Sequence, residues 1–437
     1  MRITNNMVAN NILLSLNRSK YAYSIYETQL ATGKKIQKPS DDPIVAVRAL
    51  KFRTSVREVE QYKSNAKDAI SWMTVTENSI SNIIEIVKKA RDLCVQASND
   101  PLGIGERESI ITSLKQLKDQ LANEGNVDYA GRHVFTGYKT DQPLTFTEKV
   151  SGKNYKIKEK FNSDDVETIE KIIDDTPNPR VISVDRIRLG YSNIKDGVTV
   201  SIPKATGTPP DFTVNTLDSN NPNAYEPAKG EVNFLKDTGE LIFNSTDKAE
   251  IPTDITFEYN KDNFEKNDLN PVHYFECTDY NNVDYKNQRD NISYQVSYNQ
   301  SVPINSLGKD LVTVDLMRDL EEMINEVGKV SKDGSKYDDL LKDNLGDKFN
   351  QLIGKIDKHK NGLLKQEADL GTRINRMDLT INRLEDDKVN FTDLMSQNED
   401  IDVAEVIMKM KSQEMVYNAA LMSSTKIIQT TLLDFIR

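Results

Sequence analysis

Proline is spread so unevenly that it divides the chain before any other signal is read. Eleven of the fourteen prolines lie between Pro143 and Pro303, and none follows Pro303. A proline removes a backbone donor and clashes with the preceding turn, so it breaks helix interiors and central strands. The 437 residues therefore separate into a helix-compatible N-terminal part, a proline-rich middle and a helix-compatible C-terminal part.

Apolar spacing fills in the two outer parts. Ile12, Leu16, Tyr23, Tyr26 and Leu30 recur three and four residues apart, which predicts an amphipathic helix ending near Gly33. Val59/Tyr62, Ala66/Ala69, Met73/Thr76, Ile80/Ile83, Val87/Ala90 and Cys94/Ala97 then form six successive a/d pairs. Such a seam predicts a helix of roughly 60 Å at about 1.5 Å per residue. After "SNDPLGIGE", Ile110, Leu114, Leu117 and Leu121 begin a third helix.

Near the other end, Phe349, Ile356, Leu363, Leu370, Met377, Leu384 and Phe391 recur every seven residues without a gap. Ile353, Ile374, Ile381 and Met395 fill most companion positions. Lys360, Glu367 and Lys388 take others, weakening the seam while fixing its register. A last helix carries Val403, Ile407, Met410, Tyr417, Leu421, Ile428, Leu432 and Phe435.

The middle reads differently. "VISVDRIRLGY", "GVTVSI", "ELIFNS", "DITFEYN" and "ISYQVSYN" are β-branched and aromatic, partly alternating, and bounded by Asn, Asp, Gly and Pro. The expected fold class is α+β: an elongated bundle of long helices from both chain ends, with an inserted, projecting β-rich middle domain. Expected divisions are an N-terminal helix and turn (1–44), long helices plus a hairpin (45–144), the β-rich insert (145–303), C-terminal long helices (304–400) and a final amphipathic helix (401–437).

Little in the chain favours chemistry. His133, His273 and His359 are isolated, with no zinc spacing and no HExxH. Cys94 and Cys277 lie far apart, which suits reduced structural thiols. "DNFEKNDLN", starting at Asp262, fails as a calcium loop, because its third ligand position is Phe264 and its twelfth is His273. The neighbouring pairs Glu321/Glu322 and Asp386/Asp387 are expected on solvated helix faces. No catalytic residue, metal or cofactor is predicted. A net charge of −11, with no basic run longer than "GKK" or "RINR", argues against general nucleic-acid binding. The opening "MRITNNMVANNILLSLNRS" lacks a basic stretch followed by an unbroken apolar core, so any export is expected by a route that cuts no ordinary signal.

Between the first two helices stands "LATGKKIQKPSDDPIVA". Gly33 is placed to end a helix in the left-handed conformation, with Lys34 and Lys35 beside its negative end. Pro39 keeps the linker extended. Asp42 is placed to cap the next helix with Pro43 at its first position, and Asp41 to add negative charge there.

That block, with Leu30, Gly33, Ile36, Pro39, Ser40, Asp41, Asp42 and Pro43, resembles the N-terminal signature of bacterial flagellin-like axial proteins. The ending "SQNEDIDVAEVIMKMKSQEMVYNAALMSSTKIIQTTLLDFI" is similar to the other half of that signature. "PSDDP" in place of an "AADDAAG"-like sequence, the start "MRIT", and Gly131, Phe135, Gly137, Thr140, Pro143 and Phe146 in "NVDYAGRHVFTGYKTDQPLTF" favour the hook-associated branch over filament flagellin.

The resemblance implies a structural part of the flagellum, forming the ring that joins hook to filament; the alternative is the filament subunit, flagellin itself. It implies export through the flagellar type III channel and an extracellular place in the flagellum. The implied partners are copies of the same chain, another hook-associated protein on the hook side, flagellin on the filament side and an export chaperone, without nucleic acid or membrane insertion. Subunit contacts are implied for Leu16, Tyr23, Leu30, Gly33, Pro39, Asp41, Asp42, Pro43, Tyr417, Leu421, Ile428, Leu432 and Phe435. Chaperone contacts are implied for Val403, Ile407, Met410, Leu421 and Ile428.

Overall fold

The computed structural model describes residues 5–98, 103–173, 180–195, 202–203, 211–252, 254–286, 290–329 and 336–435. The chain falls into two compact units.

The first unit, Met1–Lys67, Gln295–Asn299 and Leu379–Arg437, is largely helical. It contains α1 (Asn5–Thr32) and the start of α2 (Pro43–Ser98). It also contains the end of α7 (Lys336–Glu399) and α8 (Val403–Phe435). The α2 segment buries Ala46, Ala49, Val59 and Ala66, and the α7 segment buries Leu384. Ion pairs join these two segments at Lys63–Glu385 (2.5 Å) and Lys388–Glu60 (2.8 Å). Lys388, a charged residue in the heptad seam, thus has a partner.

The second unit is Asp68–Tyr294 with Gln300–Asp378. Its helical core comes from the predicted seams. Met73, Ile80, Ile83, Val87, Ala90, Cys94 and Ala97 of α2 are buried, as are Phe349, Ile356, Leu363, Leu370 and Met377 of α7. Thr76, also buried, satisfies its hydroxyl by donating to the Trp72 carbonyl four residues back. Ile110, Leu114, Leu117 and Leu121 of α3 (Ile104–Gly125) add to this core, and α3 packs on α6 (Val314–Gly328). Both cysteines are free and buried, and burial pushes each thiol up to about 12.

A short hairpin, β1 (Asp128–Tyr129) with β2 (Arg132–His133), follows α3 and leads into two larger sheets. One has the order β10–β3–β11–β12, from β3 (Val150–Phe161), β10 (Ile255–Phe264), β11 (Glu276–Thr278) and β12 (Asp284–Tyr285). Its pattern follows from alternation along β3: Tyr155, Ile157 and Glu159 face inward, while Lys156 and Lys160 pair outside with Glu258 and Glu276.

The other sheet has the order β4–β5–β9–β8–β7–β6. Its strands are β4 (Glu167–Ile173), β5 (Arg180–Arg188), β6 (Ile202–Pro203), β7 (Asp211–Leu217), β8 (Glu231–Leu235) and β9 (Glu240–Phe243). The β7–β8 pair is parallel and the other pairs are antiparallel. Ile169, Val184, Ala224, Leu235 and Ile242 form one apolar cluster beneath it. Short helices α4 (Pro271–Tyr274) and α5 (Gly308–Leu311), strands β13 (Ser293–Ser297) and β14 (Gln300–Pro303), and the 3-10 turns Ser163–Asp165 and Ser245–Glu250 complete the described elements. The strand expected in "GVTVSI" lies almost wholly outside the described residues.

One expectation is overturned. Glu321 and Glu322 of α6 do not sit on a solvated face. Arg186 and Arg188, two residues apart on β5 with both side chains nearly enclosed, reach Glu322 at 2.7 and 3.2 Å, and Arg188 reaches Asp319 at 2.7 Å. From α7, Lys348 joins Glu322 at 2.8 Å and His359 joins Asp319 at 2.8 Å. Glu321 takes Lys118 of α3 at 2.6 Å and Arg318 at 2.9 Å. Burial pushes the Glu322 carboxyl up, but Arg186, Lys348 and Arg188 hold it well below its ordinary value. Arg318 apart, the cations come from elements far off in sequence, so a local spacing rule could not foresee them. His359 is held as a structural residue.

Candidate functional site

The first unit is built around the two chain ends. α1 packs along α8. The stripe Ile12, Leu16, Tyr23, Tyr26 and Leu30 is half-buried, as are Met410 and Tyr417 of α8. No described side chain of α1 is buried, and among those of α8 only Val406 is. Both helices also carry a second apolar stripe at seven-residue spacing that faces solvent: Met7, Leu14 and Tyr21 on α1, Met408 and Met415 on α8, each more than half exposed. A helix gains most of its stability from packing an apolar face, and among the described side chains this pair buries only Val406.

Beyond the helix ends, two short turns clasp each other. α1 stops at Gly33, whose φ of +71° is left-handed and whose N–H donates to the Gln29 carbonyl at 2.8 Å. The chain then runs antiparallel to the turn after α7. Lys35 N donates to Glu399 O at 2.7 Å and Ile401 N to Gly33 O at 3.1 Å, around a Lys34–Asp400 bridge. Side chains reinforce the pairing. Lys34 Nζ meets Asp400 at 2.6 Å, Lys35 Nζ donates to Gln397 O at 2.9 Å, and Asn398 Nδ2 donates to Val45 O at 3.1 Å.

Glu399 is the centre of the clasp. Its side chain is 1% exposed and receives Arg53 Nε at 2.8 Å and Nη2 at 2.6 Å, with Lys34 Nζ at 3.4 Å. Burial pushes its carboxyl up, and the Arg53 and Lys34 contacts outweigh that, leaving it below its ordinary value. The Lys34 and Ser396 hydrogen bonds likewise hold Asp400 down.

The two turns are also capped alike. Asp42 Oδ1 accepts from Ile44 N (3.0 Å) and Val45 N (3.1 Å) at the start of α2, with Pro43 as its first residue. Asp402 Oδ1 accepts from Ala404 N (2.9 Å) and Glu405 N (3.2 Å) at the start of α8. Each N-cap satisfies donors that the first helical turn leaves free.

Residues 3–140 match the model of the bacterial flagellin N-terminal helical region, and residues 353–436 that of the flagellin C-terminal helical region. The chain belongs to the flagellin-like family of axial proteins. Its similarity to flagellar hook-associated protein 3 of Escherichia coli is 31% identity over 150 residues, 34% of this chain and 47% of that protein. With flagellin of Clostridium tyrobutyricum it is 30% over 126 residues, 29% of this chain and 33% of that protein. The chain thus spans about half the length, or less, of these curated relatives. Among solved structures, FlgL of Bacillus cereus superposes with a TM-score of 0.39 at 12% identity, covering 79% of this chain and 99% of that one.

For this flagellin-like chain, the turn confirms the sequence reading of Gly33, Asp42 and Pro43 and corrects it for their neighbours. Asp41 does not point at the α2 terminus. Its Oδ2 folds back to accept from Lys38 N (2.9 Å) and Gln37 N (3.0 Å), and those bonds hold its carboxyl below the ordinary value. Lys34 and Lys35 follow directly on the end of α1, and their side chains reach across to Glu399, Asp400 and the Gln397 carbonyl of the opposite turn. Pro39 and Pro43 are exposed, and so are Val403, Ile407 and Leu421. The side chains of Ile428, Leu432 and Phe435 lie outside the described residues. Nothing local in the sequence pairs Arg53 with Glu399; Glu399 lies in the quoted C-terminal stretch as the Glu of "SQNED". Among the described residues, no helix is long and apolar enough to cross a membrane, and no group of three or more His, Cys, Asp or Glu could hold a metal.

Proposed function

We propose that the chain is a structural component of the bacterial flagellum that joins hook to filament, assembling as a ring through axial packing of its terminal helices. The observation that carries this is the α1–α8 pair, whose described side chains, Val406 apart, stay half-buried or exposed within one copy. In this reading Leu16, Tyr23, Leu30, Tyr417 and Leu421 sit at the seam between chain ends and subunits. The capped turn at Gly33, Pro39, Asp41, Asp42 and Pro43 meets a neighbouring copy, and Ile428, Leu432 and Phe435 extend the seam. Its neighbours are a hook-associated protein below and flagellin above.

Before assembly an export chaperone covers α8 at Val403, Ile407, Met410, Leu421 and Ile428, and the chain leaves the cell through the flagellar channel. The role is mechanical, with no catalysis. The partial match to flagellin keeps the filament subunit as a second reading. Purified chain added to hook ends separates the two: a junction protein adds a bounded ring and stops, whereas a filament subunit elongates without limit.

A further inference from the structure

Glu159 is a buried carboxyl that the assembly surface does not use. It lies on the inner side of β3, in register with Phe257 of β10, and is 5% exposed. Its two oxygens accept from the Gly190 N–H at 3.0 and 3.2 Å, and one also accepts a short hydrogen bond from the Tyr259 hydroxyl of β10. No ion pair reaches it among the described residues.

The site is closely built. A Cβ at position 190 would lie 2.5 Å from Phe275 Cζ and 3.1 Å from Glu159 Oε1. Gly190 opens the turn leaving β5, where Leu189 N donates to Gly239 O at 2.8 Å and the Tyr191 hydroxyl donates to Leu269 O at 2.8 Å. Glu159 therefore ties the four-stranded sheet to the end of a strand in the six-stranded one.

We propose that Glu159 is a proton-operated catch between the two sheets: its neutral carboxyl holds the Gly190 turn against β3, and ionisation loosens it. The groups facing it are Tyr259 on β10, Tyr191 in the turn, and Asp315 and Arg318 on α6. Arg318 is engaged elsewhere, by Glu321 at 2.9 Å and the Thr238 carbonyl at 2.5 Å. A carboxylate has about four acceptor positions. This one meets two donors, too few to replace the water lost on burial. The neutral form fits better: Oε1, as the carbonyl oxygen, keeps the hydrogen bonds from Gly190 and the Tyr259 hydroxyl, and Oε2 carries the proton.

Burial pushes the carboxyl up to about 7, with Tyr259, Gly190 and Arg318 pulling the other way and Asp315 adding to the rise. The folded value is raised above the unfolded one. The stabilisation is therefore complete below the ordinary carboxylate value, falls as pH rises towards neutrality, and levels off above it.

Amide exchange on the full chain, corrected for the intrinsic rate, tests the catch at residues 157–160 and 189–191. Protection should fall on the order of a hundredfold between pH 5 and pH 8 and then flatten. Glu159→Gln should remove the fall. Tyr259→Phe, which deletes a donor to the charged form, should move the plateau to higher pH. Constant protection in the unaltered chain, or an unchanged fall in Glu159→Gln, would overturn the proposal. If Glu159→Gln does not fold, an unmoved profile in Tyr259→Phe does so alone.

Discussion

Arg53 grips Glu399 with two donors of one guanidinium, at 2.8 and 2.6 Å, across 346 residues of chain. This pair lies beside the backbone hydrogen bonds that join the N-terminal and C-terminal turns.

Arg53→Ala leaves an enclosed carboxylate with only the more distant Lys34. Arg53 itself is half exposed, which lowers the cost from that of a fully buried pair. A loss of about 1–3 kcal/mol is expected in the stability of the first unit, with Arg53→Lys in between because it cannot donate bidentately. Thermal melts followed by circular dichroism read the order wild type, Lys, Ala. Equal melting of all three would remove the clasp from the account.

Acid should open the same clasp. Glu399, Asp400 and Asp41 all have carboxyls held below their ordinary values. Depressed folded values mean that the stabilisation is present above the ordinary carboxylate range and disappears as pH falls through it. The Lys35 and Ile401 amides should stay equally protected from pH 5 to 8 and lose protection below about pH 4. Loss beginning on the alkaline side would contradict this.

Gly33 should resist substitution for a purely local reason. Its φ is +71°, and nothing lies within 4 Å of a Cβ built there. Gly33→Ala should cost about 1–2 kcal/mol from backbone conformation alone. Gly33→Asn should cost less, because asparagine tolerates that region. A comparable loss in both, read by urea unfolding, would point to a steric cause.

The solvent-facing stripes should matter to assembly and not to the isolated chain. Leu14→Glu and Met415→Glu sit at exposed positions and are expected to move monomer stability by no more than about 0.5 kcal/mol. Both should abolish addition to hook ends. A variant that assembles normally would show that those stripes are ordinary surface.

Much of this was legible in the sequence. The seams of α2 and α7 appear as seven-residue repeats, and most of their members are buried, while Tyr62, Ile353, Ile374, Ile381, Phe391 and Met395 are half-buried. Gly33, Asp42 and Pro43 could be read because capping chemistry is local. What stayed hidden is long-range pairing. Nothing near Arg53 names Glu399, and nothing near Arg186 names Glu322, because two charges brought together by folding leave no period along the chain. The parallel β7–β8 pair in an otherwise antiparallel sheet was hidden for the same reason: strand order is set by tertiary packing, not by alternation within a strand.

Imaging a strain that lacks this chain tests the junction role most directly. The account expects intact hooks without filaments, with flagellin shed into the medium, and restoration by the wild-type chain but not by Leu14→Glu. Filaments of normal length in the deletion strain would contradict it.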